Sequence, residues 1–338
     1  MKRIIFLLLV FFIQFLDAGE IELKIATYNV EALFDLEKKG YKFKEYKPYG
    51  KSMWNQRNYN IKLNNIAKVI TDINADIIAL QEVHSLKALK DLKLKIKQKG
   101  LYYKYYKLAD KKDSAIKVAI LSKYPFLYSK EITVGISYKY RNIQETKFKI
   151  KDQEFYVFNN HWKSKSGPES MRMFSAKKLR DRINSIGYDK NIIVVGDFNS
   201  HYEENMIFIR NRKHNDTNGK TGINDVLKTK KQKNKAKDTT FIEKNFYNLW
   251  YDTDTQNRYS YIFRGEKETP DNIIISQSLL NKKGMHYKYG SISNFVKDYM
   301  LYRGKYPYRW KISGGKNQVH KGEGYSDHLP VTAKFIIN

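Results

Sequence analysis

The chain has 338 residues and no cysteine, which excludes disulfide bonds and thiolate metal sites. Hydrophobic residues make up 41% of the sequence, enough for a folded core in one large α/β domain. The formal net charge is +28, which indicates an anionic partner such as nucleic acid, an anionic membrane or a polyanionic cell surface. A lysine-rich composition without a binding role is the alternative interpretation.

The N-terminus has the layout of a signal peptide. Lys2 and Arg3 precede an apolar stretch, Ile4–Leu16, and small residues follow at Ala18 and Gly19. Because a membrane-spanning helix needs about 20 apolar residues, this stretch is short for a span. We therefore predict a signal peptide at residues 1–18, with an uncleaved anchor as the alternative. The mature domain, residues 19–338, is expected to be periplasmic or secreted, without stable membrane insertion.

Strand and helix patterns alternate along the rest of the chain. Apolar residues at helical spacing predict helices, and alternating or continuous apolar runs predict strands. Strand pairs close together in the middle predict a mixed sheet, or two sheets, with helices outside. In chain order, the predictions are a strand in Leu23–Phe34, a helix at Asn58–Asp72, a strand at Ala75–Val83, a helix at Ser85–Gln98, strands at Tyr102–Ala109, Lys117–Ser122, Glu145–Ile150 and Glu154–Trp162, a helix at Glu169–Ile186, and strands at Ile192–Val195, Asn272–Ser276 and Val331–Ile336.

One predicted strand ends in an unusual way. The apolar run Ile192–Val195 leads into Gly196, and Asp197 and Asn199 follow two positions apart. Residues at that spacing in an extended chain point the same way, so both side chains would face one point beyond the strand. The alternative is a strand end followed by an Asx turn, since Gly, Asp and Asn are turn residues.

Polar residues occur where a buried run meets a loop in six segments of the chain. Carboxylate and amide oxygens suit a hard cation such as Mg²⁺, Mn²⁺ or Ca²⁺, and histidines can move protons near neutral pH. Such a set can hydrolyse phosphate esters. The residues are Asn29, Glu82, Asn160 with His161, Asp197 with Asn199, Asp271, and Asp327 with His328.

The motifs that contain these residues resemble a known family. The segments ATYNVEALF, DIIALQEV, NNHWKSK, VVGDFNS, TPDNIIIS and YSDHLPV appear in the order seen in the endonuclease/exonuclease/phosphatase superfamily, which has the DNase I-like fold. The resemblance spans about residues 23–338. It implies a four-layer α/β sandwich, in which two packed mixed sheets are flanked by helices.

The resemblance also implies roles for the matched residues. Glu82 would be the principal metal ligand with support from Asn29, and Asp197, Asn199 and Asp327 could form a second metal site. Asp197 and Asn199 would hold the scissile phosphate and the attacking water. In the same comparison His328, oriented by Asp271, and His161 match the catalytic histidines, while Arg141, Asn160 and Lys163 match or flank phosphate contacts. Lys163–Lys165 could equally be an ordinary basic loop.

The match to deoxyribonucleases is incomplete at the residue that supports the first histidine. There a glutamate supports the first histidine, whereas this chain has Ile116 near that place and Asp113 as the closest carboxylate. His161 is therefore expected to be held differently.

The features together predict an exported, divalent-metal-dependent endonuclease that acts on DNA with little sequence specificity, with Mg²⁺ as the expected metal and Mn²⁺ or Ca²⁺ as alternatives. A sphingomyelinase-like phospholipid phosphodiesterase is one alternative, and an inactive protein that binds DNA or another polyanion is a second. The segment YMLYRGKYPYRWK, Tyr299–Lys311, is either a packed tyrosine-rich loop or a surface that stacks on bases or lipid. Similarly, KTKKQKNKAKD, Lys228–Asp238, is either a solvated loop or a basic arm on nucleic acid.

Overall fold

The computed structural model describes residues 19–37, 43–112, 114–208, 214–229, 244–315 and 317–338. The predicted signal peptide, Asp113 and most of the Lys228–Asp238 stretch lie outside these ranges. No helix in the described ranges combines the length and apolarity needed to cross a bilayer.

Two mixed sheets form the centre of the protein. The first has the order β13-β19-β1-β2-β4-β3, with β14 also paired to β19, and the second has the order β5-β6-β7-β8-β12-β9. The strands of the first sheet are β1 (Ile21–Leu33), β2 (Ile77–Val83), β3 (Tyr105–Leu108), β4 (Lys117–Ser122), β13 (Met285–Tyr287), β14 (Ser293–Asn294) and β19 (Val331–Ile337). Those of the second are β5 (Phe126–Ile132), β6 (Ile143–Ile150), β7 (Gln153–His161), β8 (Asn191–Asp197), β9 (Phe246–Asn248) and β12 (Asp271–Ser276).

Three small hairpins lie outside the two sheets. They pair β10 (Tyr261–Phe263) with β11 (Glu266–Glu268), β15 (Leu301–Tyr302) with β16 (Tyr306–Pro307), and β17 (Ile312–Ser313) with β18 (Val319–His320). All three fall in the second half of the chain, between the polar motifs.

Helices cover the outer faces of both sheets. They are α1 (Gln56–Ile73), α2 (Leu86–Gln98), α3 (Glu169–Ile186) and the single turn α4 (Glu204–Ile207). Asn55 and Ser85 cap α1 and α2 by accepting backbone N–H groups of Asn58 and Ala88, which satisfies donors exposed at a helix start.

The hydrophobic core is divided into three layers. One cluster lies between the sheets and includes Ile25, Phe155 and Ile273. A second joins α1 and α2 to the first sheet, and a third joins α3 to the second sheet. This arrangement confirms the predicted α/β sandwich of two mixed sheets flanked by helices.

The helix and strand predictions agree with the structure where the apolar pattern is strong. For example, α3 has the predicted bounds, and β1 and β19 differ from prediction by a few residues. Sequence reasoning missed β5, whose side chains are mostly half-buried or exposed, and the short strands β9, β13 and β14. These strands carry too little apolar patterning to stand out from loops.

Candidate active site

The predicted site residues meet at one edge of the sandwich because of the strand directions. β7 and β8 run parallel, with His161 opposite Asp197 at their carboxyl ends. β12 is antiparallel to β8 and begins at the same edge, with Asp271 opposite Asp197. In the first sheet, β1 and β2 are parallel and end in the segments that carry Asn29 and Glu82. His328 precedes β19, which is antiparallel to β1.

A cleft of about 900 Å³ opens at this edge. Eight of the predicted residues line it, whereas Asn29, Asn160 and Asp271 lie behind its surface. The lining members are Glu82, Arg141, His161, Lys163, Asp197, Asn199 together with the pair Asp327 and His328.

His328 is held by a carboxylate. Its Nδ1 lies 2.7 Å from Oδ2 of buried Asp271, and the Ser260 hydroxyl donates to the same oxygen at 2.7 Å. Burial opposes a charged ring, but the charge and hydrogen bond of Asp271, together with Asp197 and Asp327, raise the pKa of His328 well above its ordinary value. The imidazole is therefore cationic at neutral pH, with Nε2 3.9 Å from Oδ1 of Asp327.

His161 occupies a different environment. Its Nε2 lies 3.5 Å from Oδ2 of Asp197 and 3.7 Å from Oε1 of Glu82. Nδ1 is buried and has no hydrogen-bond partner among the described residues. Burial, Arg141 and His328 lower the pKa of His161 well below its ordinary value, so the ring is neutral.

Asp197 and Asn199 form a compact turn at the end of β8. The backbone N–H of Asn199 donates to Oδ1 of Asp197 at 2.8 Å, so an Asx turn is present as well as the predicted pair. Burial raises the pKa of Asp197 to about 7. The charges of Asp271 and Glu82 add to this increase, and the charge of His328 opposes it. The carboxyl group can thus accept a proton near neutral pH.

Gly196 is required by the neighbouring strand. It has φ of 134°, and a Cβ at this position would lie 2.1 Å from the backbone oxygen of Asn160. Only glycine combines that dihedral angle with so close a backbone approach. The apolar run therefore ends on glycine because β7 passes directly beside it.

Glu82 is fixed by hydrogen bonds from β1. Its Oε2 accepts the backbone N–H of Ala32 at 2.8 Å, and its Oε1 accepts from Nδ2 of Asn29 at 3.4 Å. Asn29 Nδ2 also donates to Asp197 at 3.0 Å, and its Oδ1 accepts the N–H of Glu31. Asn29 consequently bridges two carboxylates and supports Glu82 rather than directing its own oxygen into the cleft.

Several site residues have left-handed backbone angles. Glu31, Glu82 and Asn199 have φ of 49°, 65° and 48°. The pairing of β1 with β2 shifts register between Asn29 and Leu33, which marks a bulge. Non-glycine residues in this region cost roughly 1 kcal/mol or more each and cluster at functional sites.

The predicted phosphate contacts divide into two groups. Arg141 lines the cleft, with Nη1 donating to the Trp162 carbonyl at 3.1 Å, and Lys163 lines it beside Lys165. Asn160 is fully buried, and its amide donates to carbonyls of Phe158 and Val195. The structure thus commits the Asn160 side chain to the protein interior.

Sequence reasoning missed one buried carboxylate beneath the cleft. Glu31 accepts from the Arg309 guanidinium at 2.7 Å and from the backbone N–H groups of Trp310 and Asp327 at 2.8 and 3.0 Å. Burial and Asp327 raise the pKa of Glu31 to about 7, against the opposing charge of fully buried Lys62. The signal was present, because Glu31 follows Asn29 at the same two-residue spacing as Asn199 follows Asp197.

Several solved structures share this fold. TDP2 from D. rerio, complexed with single-strand DNA product, is 14% identical with a TM-score of 0.57, covering 93% of this chain and 98% of that one. An endonuclease/exonuclease/phosphatase family protein of Bacteroides thetaiotaomicron is 17% identical with a TM-score of 0.57, covering 95% and 99%. A mannosyl-6-phosphatase of the same species is 16% identical with a TM-score of 0.55, covering 93% and 99%. No curated protein matches the sequence.

The fold and the donor set fit the two-sheet α/β class of hydrolytic phosphoesterases. The sequence model of the Endonuclease/Exonuclease/phosphatase family matches residues 24–336, and the chain belongs to this family. Enzymes of this superfamily generally use divalent metals.

The donor set at the cleft suits such a metal. Burial and the charge of Asp327 raise the pKa of Glu82, a sign of negative charge that the protein itself leaves poorly compensated. Among the described residues, no three His, Asp or Glu side chains are arranged to hold an ion by themselves. Mg²⁺, however, commonly binds one or two carboxylates and completes its shell with water and substrate phosphate. Glu82 and Asp327 fit that chemistry.

Proposed function

We propose that this protein is an exported, divalent-metal-dependent endonuclease that hydrolyses DNA phosphodiester bonds with little sequence specificity. The observation that carries the proposal is the cleft in which cationic His328, on its Asp271 support, lies with Asp197, Asn199 and Glu82. Arg141 and Lys163 line the same cleft and offer positive charge to a polyanion. Contacts to phosphate carry no base information, which accounts for the low specificity.

In this proposal Asp197 and Asn199 orient the attacking water on one side of the phosphorus. Asp197 is suited to accept the proton, because its raised pKa of about 7 makes it a stronger base than an ordinary aspartate. Its orientation is fixed by the N–H of Asn199 and by Asn29 Nδ2.

His328 has the complementary task. Attack on phosphorus builds negative charge on the non-bridging oxygens, and an imidazolium held against Asp271 stabilises that charge electrostatically. Its raised pKa argues against a base that removes a proton from water. Neutral His161 would donate or accept a hydrogen bond at the phosphate or at the leaving oxygen. A divalent metal, when bound at Glu82 and Asp327, supplies further charge neutralisation of the phosphate.

The decisive experiment is cleavage of supercoiled plasmid by the purified protein with Mg²⁺, with EDTA, and with the His328→Ala variant. We expect nicking that needs Mg²⁺ and is lost in the variant. Plasmid and single-stranded oligonucleotide that both stay intact under every metal condition would reject DNA hydrolysis. Cleavage that survives both EDTA and the substitution would reject this site as its source. Raising the salt concentration should slow cleavage strongly, because cation contacts to the backbone are screened.

A second candidate is a phospholipid phosphodiesterase. It is favoured by the apolar side chains that line the cleft, since Phe43, Ile207 and Phe263 are at least 36% exposed. Hydrolysis of sphingomyelin vesicles, with plasmid left intact, would select this function. An inactive polyanion-binding protein is disfavoured because both histidines and every carboxylate of the predicted site are present.

Export is a separate part of the proposal. It rests on the sequence of residues 1–18, and it predicts that the protein is recovered from the periplasm or the medium with a new N-terminus at Gly19. N-terminal sequencing of the fractionated protein tests it. Recovery of the whole chain in the cytoplasm would reject it.

A further inference from the structure

A second cleft, of about 790 Å³, adjoins the catalytic one. The two share Phe43, Glu82, Asp327 and His328 as lining residues, so the space is continuous past the catalytic groups. The function proposed above does not use this second cleft.

Tyrosines from the β15–β16 hairpin line the second cleft. Tyr302 lies opposite Tyr306 in the hairpin, and the two side chains are 41% and 38% exposed. The ring of Tyr308 packs against Tyr302 with centroids 5.4 Å apart. Large aromatic faces are therefore exposed to solvent beside the catalytic groups. Packing in the hydrophobic core does not explain why these residues are aromatic.

Cations accompany these rings. The Arg303 guanidinium lies 5.2 Å from the ring centroid of Tyr302, and the Lys305 ammonium lies 5.3 Å from that of Tyr306. The cations that line the cleft just after the hairpin are paired, because Arg309 pairs with Glu31 and Lys311 pairs with Glu323 at 2.7 Å each. Positive charge with aromatic faces is thus concentrated at the hairpin tip.

The two clefts consequently differ in chemistry. The first offers Arg141 and Lys163, which suit phosphates, whereas the second offers the rings of Tyr302, Tyr306 and Tyr308 and has Glu45 among its lining residues. Aromatic side chains with nearby cations bind unpaired bases by stacking. We propose that the second cleft is a subsite for unpaired nucleobases next to the scissile phosphate, stacking on Tyr302 and Tyr306. This proposal rests on the function proposed above.

The substrate preference follows from base geometry. In a duplex, each base face is already covered by its neighbours, so stacking on a protein ring requires the strand to be unpaired. The subsite therefore selects single-stranded DNA, overhangs or frayed ends over an intact duplex.

Equilibrium binding tests the subsite separately from catalysis. Fluorescence anisotropy is measured in EDTA, which prevents metal-dependent cleavage, with a labelled 12-nucleotide strand and with the duplex of the same sequence. The native protein should bind the single strand more tightly. Because replacing a stacking ring with alanine weakens binding by roughly tenfold or more per base, the Tyr302→Ala/Tyr306→Ala double variant should lose about 10- to 100-fold for the single strand only.

Matched variants make the result interpretable. Tyr102→Ala removes a tyrosine that is at least as exposed, at 51%, and lies outside both clefts, so this variant should bind as the native protein does. Tyr302→Phe/Tyr306→Phe keeps both rings and should retain the single-strand preference.

Equal losses of affinity for strand and duplex in the double alanine variant, or no loss of affinity, would overturn the proposal. The proposal would also be overturned if the double alanine variant lost binding to phosphatidylcholine–sphingomyelin vesicles but still bound the single strand with native affinity. That result would assign the rings to lipid binding. With the expected binding pattern, failure to cleave both plasmid and single-stranded DNA would reject only the nuclease function.

Discussion

His161 and His328 lie in the same cleft and are both buried, yet their pKa values move in opposite directions. His328 contacts the Asp271 carboxylate at 2.7 Å and is cationic. His161 has no partner for Nδ1 among the described residues, lies farther from its carboxylates, and is neutral. In this cleft, a hydrogen-bonded carboxylate rather than burial therefore decides whether a buried histidine is charged.

His320 is a third case that supports this conclusion. It is buried at 4% exposure, where its Nδ1 accepts from the Trp310 indole and its Nε2 contacts the Glu45 carbonyl. These partners are neutral. Burial, together with the charge of Lys62, lowers the pKa of His320 to about 4.

Removing the carboxylate from His328 should produce the largest effect. Asp271→Asn leaves the side chain's shape but takes away the charge that keeps the imidazole protonated. We expect kcat/KM for DNA to fall about 10³-fold, at the upper end of the range for loss of one charge-stabilising donor. Steady-state kinetics with a fluorescent oligonucleotide measures it. A loss below tenfold would mean that the cation on His328 has no part in the reaction.

Acid should destabilise the fold through His320. Its pKa is lowered from 6.5 to about 4, so its contribution to stability is present above pH 6.5 and is lost as the pH falls. Protonated Nδ1 can no longer accept from Trp310. Between pH 7.5 and pH 5 we expect this group to cost roughly 2 kcal/mol of unfolding free energy.

Urea denaturation at both pH values, for the native protein and for His320→Gln, isolates that cost. Glutamine cannot titrate, so the variant should show a pH dependence about 2 kcal/mol smaller. Identical pH dependence in the two proteins would show that His320 stays neutral throughout or is not buried in solution.

A neutral substitute should be tolerated better at His161 than at His328. His161→Asn keeps a hydrogen-bond donor without charge, so kcat/KM should fall only about tenfold, since one hydrogen bond is worth roughly 1 kcal/mol. His328→Asn should lose about as much as Asp271→Asn. Parallel kinetics of the two variants checks the comparison, and equal losses would contradict it.

The smallest effect is expected at Ser260. Its hydroxyl donates to Asp271 Oδ2, and Ser260→Ala would leave the carboxylate with His328 alone. A threefold to fivefold fall in kcat with unchanged KM is expected, because a hydrogen bond that only orients the pair contributes about 1 kcal/mol. A change in KM without a change in kcat would place Ser260 in substrate binding.

Much of the fold and of the site could be predicted from the sequence. Apolar periodicity is local, so β1, α1 and α3 were found, and strand ends gather at one edge by topology. The contacts could not be predicted in the same way. Whether Asn160 faces the core or the cleft, and whether Glu31 reaches Arg309, depends on bulges and on segments far apart in the chain.

Glu31 has a further consequence for how the two clefts behave. A single oxygen of its carboxylate accepts the N–H of Trp310, just after the tyrosine hairpin, and the N–H of Asp327, next to His328. The segment that follows the hairpin and the loop that carries Asp327 and His328 are thus hydrogen-bonded to the same carboxylate on β1. In the proposed subsite, a base stacked on the hairpin and the imidazole of His328 would therefore share one anchor, so that a shift of one would shift the other.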